Sequence, residues 1–249
     1  MLPAFLLFGV SQSSIEFTRI LATIVSIFVM YEYGFSSPSL IEFRFAAPYN
    51  RIRFLLLSVL VLAPTFLVGY TLAGANMVGF LPTIADKGIA LLDFTYSPFM
   101  VVAETLSGEN ESLQAAFAQA IAFNTIIMFA CITSFCVAIY LNLWRFGGSG
   151  FNMWQNMPTY KSYETKTLQE RLMNSAFASL LIACLIPLLG PTVAEVIFVN
   201  FAESGQLAPI ISIWCIAFWS FFQGVFFMRA AALAKIAINH SDKSDLVTA

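Results

Sequence analysis

Stretches of about 20 mostly apolar residues, the length a helix needs to cross the hydrocarbon core of a bilayer, recur along this chain of 249 residues. Five qualify, at about 17–35, 54–75, 118–144, 173–198 and 207–228. After the last comes AAALAKIAIN, residues 230–239, whose strong helix formers and lack of breakers carry the helix on into a tail, 229–249. Apolar residues make up 59% of the chain and charged ones 10%, against roughly 45–50% and about 25% in a soluble domain. The expected fold is therefore an all-α integral membrane protein, one polytopic domain over residues 1–249.

Orientation follows from Lys and Arg, which concentrate in cytoplasmic loops. Arg44, Arg51 and Arg53 lie between spans one and two, and Arg145, Lys161, Lys166 and Arg171 between three and four. Arg229, Lys235 and Lys243 follow span five, whereas only Arg19 and Lys87 fall on the opposite side. This census puts the N-terminus outside and the C-terminus in the cytoplasm, with five crossings. Residues 77–105 are apolar enough to enter a membrane but carry Asp93, Pro98 and Glu104. A sixth crossing there would reverse every later basic loop, so the segment is expected to be re-entrant or interfacial. MLPAFLLFGV has no basic n-region and no clean cleavage site after it, which argues against a signal peptide and suits a bacterial inner membrane.

No loop is long enough for an ordinary folded domain, so any chemistry must lie in or at the bilayer. A net charge of -2 leaves no basic surplus for nucleic acid. One histidine, His240, stands in the tail; haem, copper and di-iron centres built on paired His, HExxH proteases and a Ser-His-Asp triad are thereby excluded. Cys131, Cys136, Cys184 and Cys215 all fall in spans without CxxC spacing, as expected of small apolar residues and not of a zinc site. Catalysis is accordingly not expected.

Polar residues at membrane depth are the default functional candidates. Glu32 lies near the cytoplasmic end of span one and Glu195 near the outer end of span four; Asp93 lies in the 77–105 segment. Asn124 is deep in span three, where interhelical hydrogen bonding accounts for it. Pro64 interrupts span two, and Pro187 with Gly190 and Pro191 interrupts span four; unwound backbone at mid-membrane is how transporters build sites, although proline kinks are common in membrane helices anyway. Small residues recur every four positions at Ala130, Ser134 and Ala138, and at Ser175, Ser179 and Ala183, spacing that lets helices approach closely. Finally, 26 Phe and four Trp include FWSFFQGVFF in span five, with Trp214 and Trp219 inside the span and away from the interfacial belts. Such a surface suits lipid, a flat apolar ligand such as a quinone or pigment, or a neighbouring subunit.

Together these features lead us to expect a non-catalytic integral subunit, scaffold or assembly factor of a larger membrane complex. Its partners would be lipids and other membrane subunits or further copies of itself. The alternative is a transporter or channel subunit that uses the broken spans two and four.

Overall fold

The computed structural model describes residues 3, 6–7, 12–34, 43, 47–75, 78–141, 143, 168–201 and 207–248. All regular structure among these described residues is helical. The helices are α1 (Gln12–Gly34), α2 (Ala47–Leu72), α3 (Phe80–Leu92), α4 (Pro98–Ser107), α5 (Glu111–Tyr140), α6 (Leu168–Phe201) and α7 (Leu207–Thr248). Four segments are long and apolar enough to cross a membrane: Tyr49–Leu72, Glu111–Tyr140, Leu168–Asn200 and Pro209–Asn239. They correspond to the second to fifth apolar stretches. The first stretch forms α1, whose described apolar part, Arg19–Tyr31, is shorter than a crossing.

Local chemistry moves the helix ends away from the apolar boundaries. α5 starts at Glu111, ahead of its apolar run, because Asn110 caps it: the Leu113 N–H donates to Asn110 Oδ1 at 3.1 Å, and Glu111 sits in the first turn. α2 stops at Leu72 because Gly74 takes up φ 69°, a left-handed turn in which the Ala75 N–H donates to the Tyr70 carbonyl at 3.0 Å. The segment 77–105 resolves into α3 and α4, of 13 and 10 residues, separated by a turn in which Tyr96 has φ 63°. At about 1.5 Å per residue these are roughly 20 and 15 Å long, and neither spans a bilayer alone.

Two apolar clusters hold the long helices side by side. One gathers Tyr49, Leu56 and Leu60 of α2 and Met128, Phe135 and Ile139 of α5 with Leu172 and Ala176 of α6 and Met228, Leu233 and Ile236 of α7. The other gathers Leu67 and Val68 of α2, Val102 and Leu106 of α4 and Phe117 and Ile121 of α5 with Ala194 of α6 and Ile210 and Ile213 of α7. The start of α2 and of α6 thus meets the end of α5 and of α7, the alternation of an antiparallel bundle. Tyr49 ties the first end together: its hydroxyl donates to the Val225 carbonyl at 3.5 Å, its ring meets Phe135 edge-on at 5.4 Å, and Arg53 lies over it at 5.3 Å. The stretch 230–239 packs into this cluster through Ala232, Leu233, Ile236 and Ala237, so it belongs to the bundle and is not a solvated tail.

The two small-residue stripes fare differently. Ser179 and Ala183 are buried and Ser175 half-buried, all on α6, whose most extensive packing is against α7; there Arg229 Nη1 donates to Ser179 Oγ. Ala130 and Ser134, by contrast, are exposed, and Ser134 Oγ merely donates back to the Ala130 carbonyl at 2.8 Å. Close approach on α5 instead uses Ala122, which leaves room only for a glycine opposite: a Cβ at Gly88 of α3 would come within 3.0 Å of the Ala122 Cβ.

Candidate functional site

The two long helices interrupted by prolines in their interior, α2 and α6, remain continuous, and each has a side chain from a neighbouring helix at the break. Pro64 has no N–H, so the Leu60 carbonyl one turn earlier loses its helical donor. Asn124 of α5 replaces it, with Nδ2 donating to the Leu60 carbonyl at 3.1 Å from a wholly buried position. Beside it the Thr65 hydroxyl donates to the Val61 carbonyl at 2.6 Å. Only the NH₂ side of an amide can donate to a carbonyl, so this bond fixes which way Asn124 points. Its Oδ1 is then left buried without a hydrogen-bond partner.

At the second break, Pro191 removes the donor for the Pro187 carbonyl, and the adjoining Ile186 carbonyl accepts from Trp219 Nε1 of α7 at 2.9 Å. The indole fits because residue 190 is glycine. A Cβ there would stand 2.5 Å from Trp219 Cζ2. Phe99, in the first turn of α4, packs against Trp219 with centroids 5.4 Å apart. Because Ile186 lies near the middle of α6, this contact places the start of α4 near mid-height of the bundle. Ser97, the N-cap of α4, is buried there, makes no capping bond, and has an Oγ without a hydrogen-bond partner.

Beside the second break lies an apolar cleft of about 460 Å³. Ile182, Ile186, Leu189, Gly190, Val193 and Ile197 form the α6 wall; Cys215, Phe218, Trp219, Phe222 and Phe226 form the α7 wall, and Val102 of α4 completes it. Phe218 and Phe222 of that wall stack with centroids 6.0 Å apart, and Trp214, outside the lining, extends the stack along α7 at 5.2 Å from Phe218. The Trp219 N–H is already spent on Ile186, so the cleft offers a ligand carbon and one thiol.

The other sequence candidates do not converge on the cleft. Glu195 is exposed on α6 and is not part of its lining. Asp93 is exposed at the end of α3, where its N–H donates to the Ile89 carbonyl at 2.8 Å. Glu32 falls in α1, but its side chain lies outside the described residues. Pro64 and Asn124 meet each other at the first break; Pro187 stands beside the cleft at the second. All four cysteines are free thiols, with Cys136 and Cys184 exposed and Cys131 and Cys215 half-buried. Among the described residues no three His, Cys, Asp or Glu side chains come together as a metal cluster. The Gly190–Trp219 lock escaped the sequence reading, although both residues drew notice separately: nothing in the sequence says that a ring in span five will land on a glycine in span four.

Among the described residues the fold is all-helical, with four helices long and apolar enough to cross a membrane. No family model, curated protein or solved structure matches it.

Proposed function

We propose that the chain is a non-catalytic integral subunit or scaffold of a larger membrane complex. It crosses the bilayer five times, with the N-terminus outside, the C-terminus in the cytoplasm and α3–α4 as a re-entrant pair. A bacterial inner membrane suits the charge pattern. The antiparallel arrangement supports this orientation, since Arg51, Arg53, Arg171, Arg229 and Lys235 all flank the same apolar cluster. The start of α4 at mid-height supports re-entry.

The single observation that carries the subunit reading is α1. Its described packing partner is α7, while Ile20, Ile24, Ile27 and Met30 are 62%, 59%, 62% and 74% exposed. Between helices in lipid there is no hydrophobic driving force, so a span is held by close packing and interhelical hydrogen bonds. Among the described residues α1 takes little packing from the bundle; a second protein supplies the packing that positions it. A photo-reactive residue at Ile24 tests this directly. Adducts to a protein of defined mass support it, and adducts to lipid alone contradict it.

The second reading, a transport subunit, draws on the unpartnered Ser97 Oγ at the mid-height N-terminus of α4 and on Asn124 Oδ1. Half-helix N-termini at the midplane are where transporters hold anionic groups. Asn124, however, is engaged at a break, and the Ile186 carbonyl at the other is taken by Trp219, which favours the structural reading.

A further inference from the structure

The cleft between α6 and α7 has the length, lining and opening of a site for one hydrocarbon chain. From Ile182 to Ile197 it follows α6 for about 22 Å, and from Cys215 to Phe226 it follows α7 for about 16 Å. A single leaflet of hydrocarbon is about 15 Å deep, half of the roughly 30 Å core. The cleft therefore runs at least the depth of one leaflet, the length of a single acyl chain.

Chemistry narrows the occupant further. Ligands with a polar head are oriented by a few placed donors or acceptors, and a quinone ring or a pigment would need donors for its carbonyls. The indole N–H of Trp219 is committed to Ile186, and Cys215 brings only a weakly bonding thiol. The opening decides the source. Leu189, Val193, Phe218 and Phe222 line the cleft and are themselves exposed, so it is continuous with the lipid-facing flank of α6.

We infer that the cleft holds one acyl chain of a membrane phospholipid, in the leaflet at the Ile197 end, as a structural lipid between α6 and α7. This rests on the placement of the chain in a membrane, and not on the existence of a partner subunit. Pro187, Gly190 and Pro191 then have a shared role: the breaks and the missing side chain seat Trp219 against α6 and leave the groove beside it open.

The test uses the full chain in dodecyl maltoside, delipidated and titrated with dioleoyl-phosphatidylcholine while adducts are counted by native mass spectrometry. One tightly retained lipid per chain is expected. Val193→Trp, which fills the cleft, should raise the apparent dissociation constant at least about tenfold. Leu188→Trp, on the exposed surface of the same helix outside the lining, should leave it unchanged. Equal retention by all three proteins overturns the proposal. Should Val193→Trp not fold, the wild-type chain decides alone: phosphatidylcholine with 9,10-dibrominated chains must quench tryptophan emission saturably at one equivalent, and quenching that rises without saturation overturns it. A parallel titration with a polyprenyl quinone separates the two sources of a long chain, since one-to-one retention of the quinone with none of the phospholipid contradicts an acyl-chain site. Lipid retention by a chain that gives no protein adducts at Ile24 would leave the cleft assignment intact and remove the subunit reading, so the two fail separately.

Discussion

Asn124 and Pro64 should behave as one unit, because the amide repairs what the proline breaks. Replacing Asn124 by Ala in the natural chain leaves the Leu60 carbonyl buried and without a donor, which costs about 1–3 kcal/mol. The same replacement also deletes the unpartnered Oδ1, which relieves part of that group's own desolvation penalty, so the net loss is about 1–2 kcal/mol. In a Pro64→Ala background the backbone N–H regained at position 64 can take the Leu60 carbonyl in the ordinary helical way, and the Asn124 bond becomes redundant. Only packing is then lost on truncation. The coupling between the two sites should be about 0.6–1.7 kcal/mol, from the mean to the maximum measured for interhelical hydrogen bonds in a membrane protein, with the double variant less destabilised than the sum of the singles. Reversible unfolding in bicelles, followed by steric trapping, measures all four corners of the cycle. Additivity within about 0.3 kcal/mol would refute the repair, because residues without a shared partner add to that precision.

Three further substitutions probe the remaining joints. Gly190→Ala drives a Cβ to 2.5 Å from Trp219 Cζ2 and should cost about 1–3 kcal/mol; in a Trp219→Leu background most of that cost should vanish, and an undiminished cost would show that the clash is elsewhere. Ser97→Ala should change stability by less than about 0.5 kcal/mol, since the hydroxyl makes no capping bond to lose, whereas an ordinary N-cap loss is about 1 kcal/mol; a loss of that size would mean that Ser97 Oγ has a partner in the membrane. Gly74→Ala forces a Cβ into φ 69° and should destabilise the end of α2 by about 1 kcal/mol, read from the same unfolding assay, with no change counting against the left-handed turn.

How much of this was legible in the sequence depends on the range of the signal. Apolar length is local, and it located α2, α5, α6 and α7; their ends shifted because capping by Asn110 and the turn at Gly74 act outside the apolar run. The break at Asp93–Ser97 was visible as Asp and Pro in an apolar segment, although the two short helices around it were not. Small-residue spacing identified the α6 stripe and misassigned the α5 one, since periodicity names a face without saying what it faces. Pro64 and Asn124 were both marked, yet their meeting depends on the relative height of α2 and α5, which no spacing within one helix encodes. The cleft was foreshadowed only by its aromatic wall; its other wall comes from α6, and its depth from a glycine whose importance exists only opposite Trp219.

The most direct test of the subunit reading is the native mass of the particle. A C-terminally tagged copy extracted from its own membrane in mild detergent should run well above the 27.5 kDa of one chain, with one or more proteins present in fixed stoichiometry by mass spectrometry. A lone chain carrying only lipid, with no associated protein and no second copy, would contradict it.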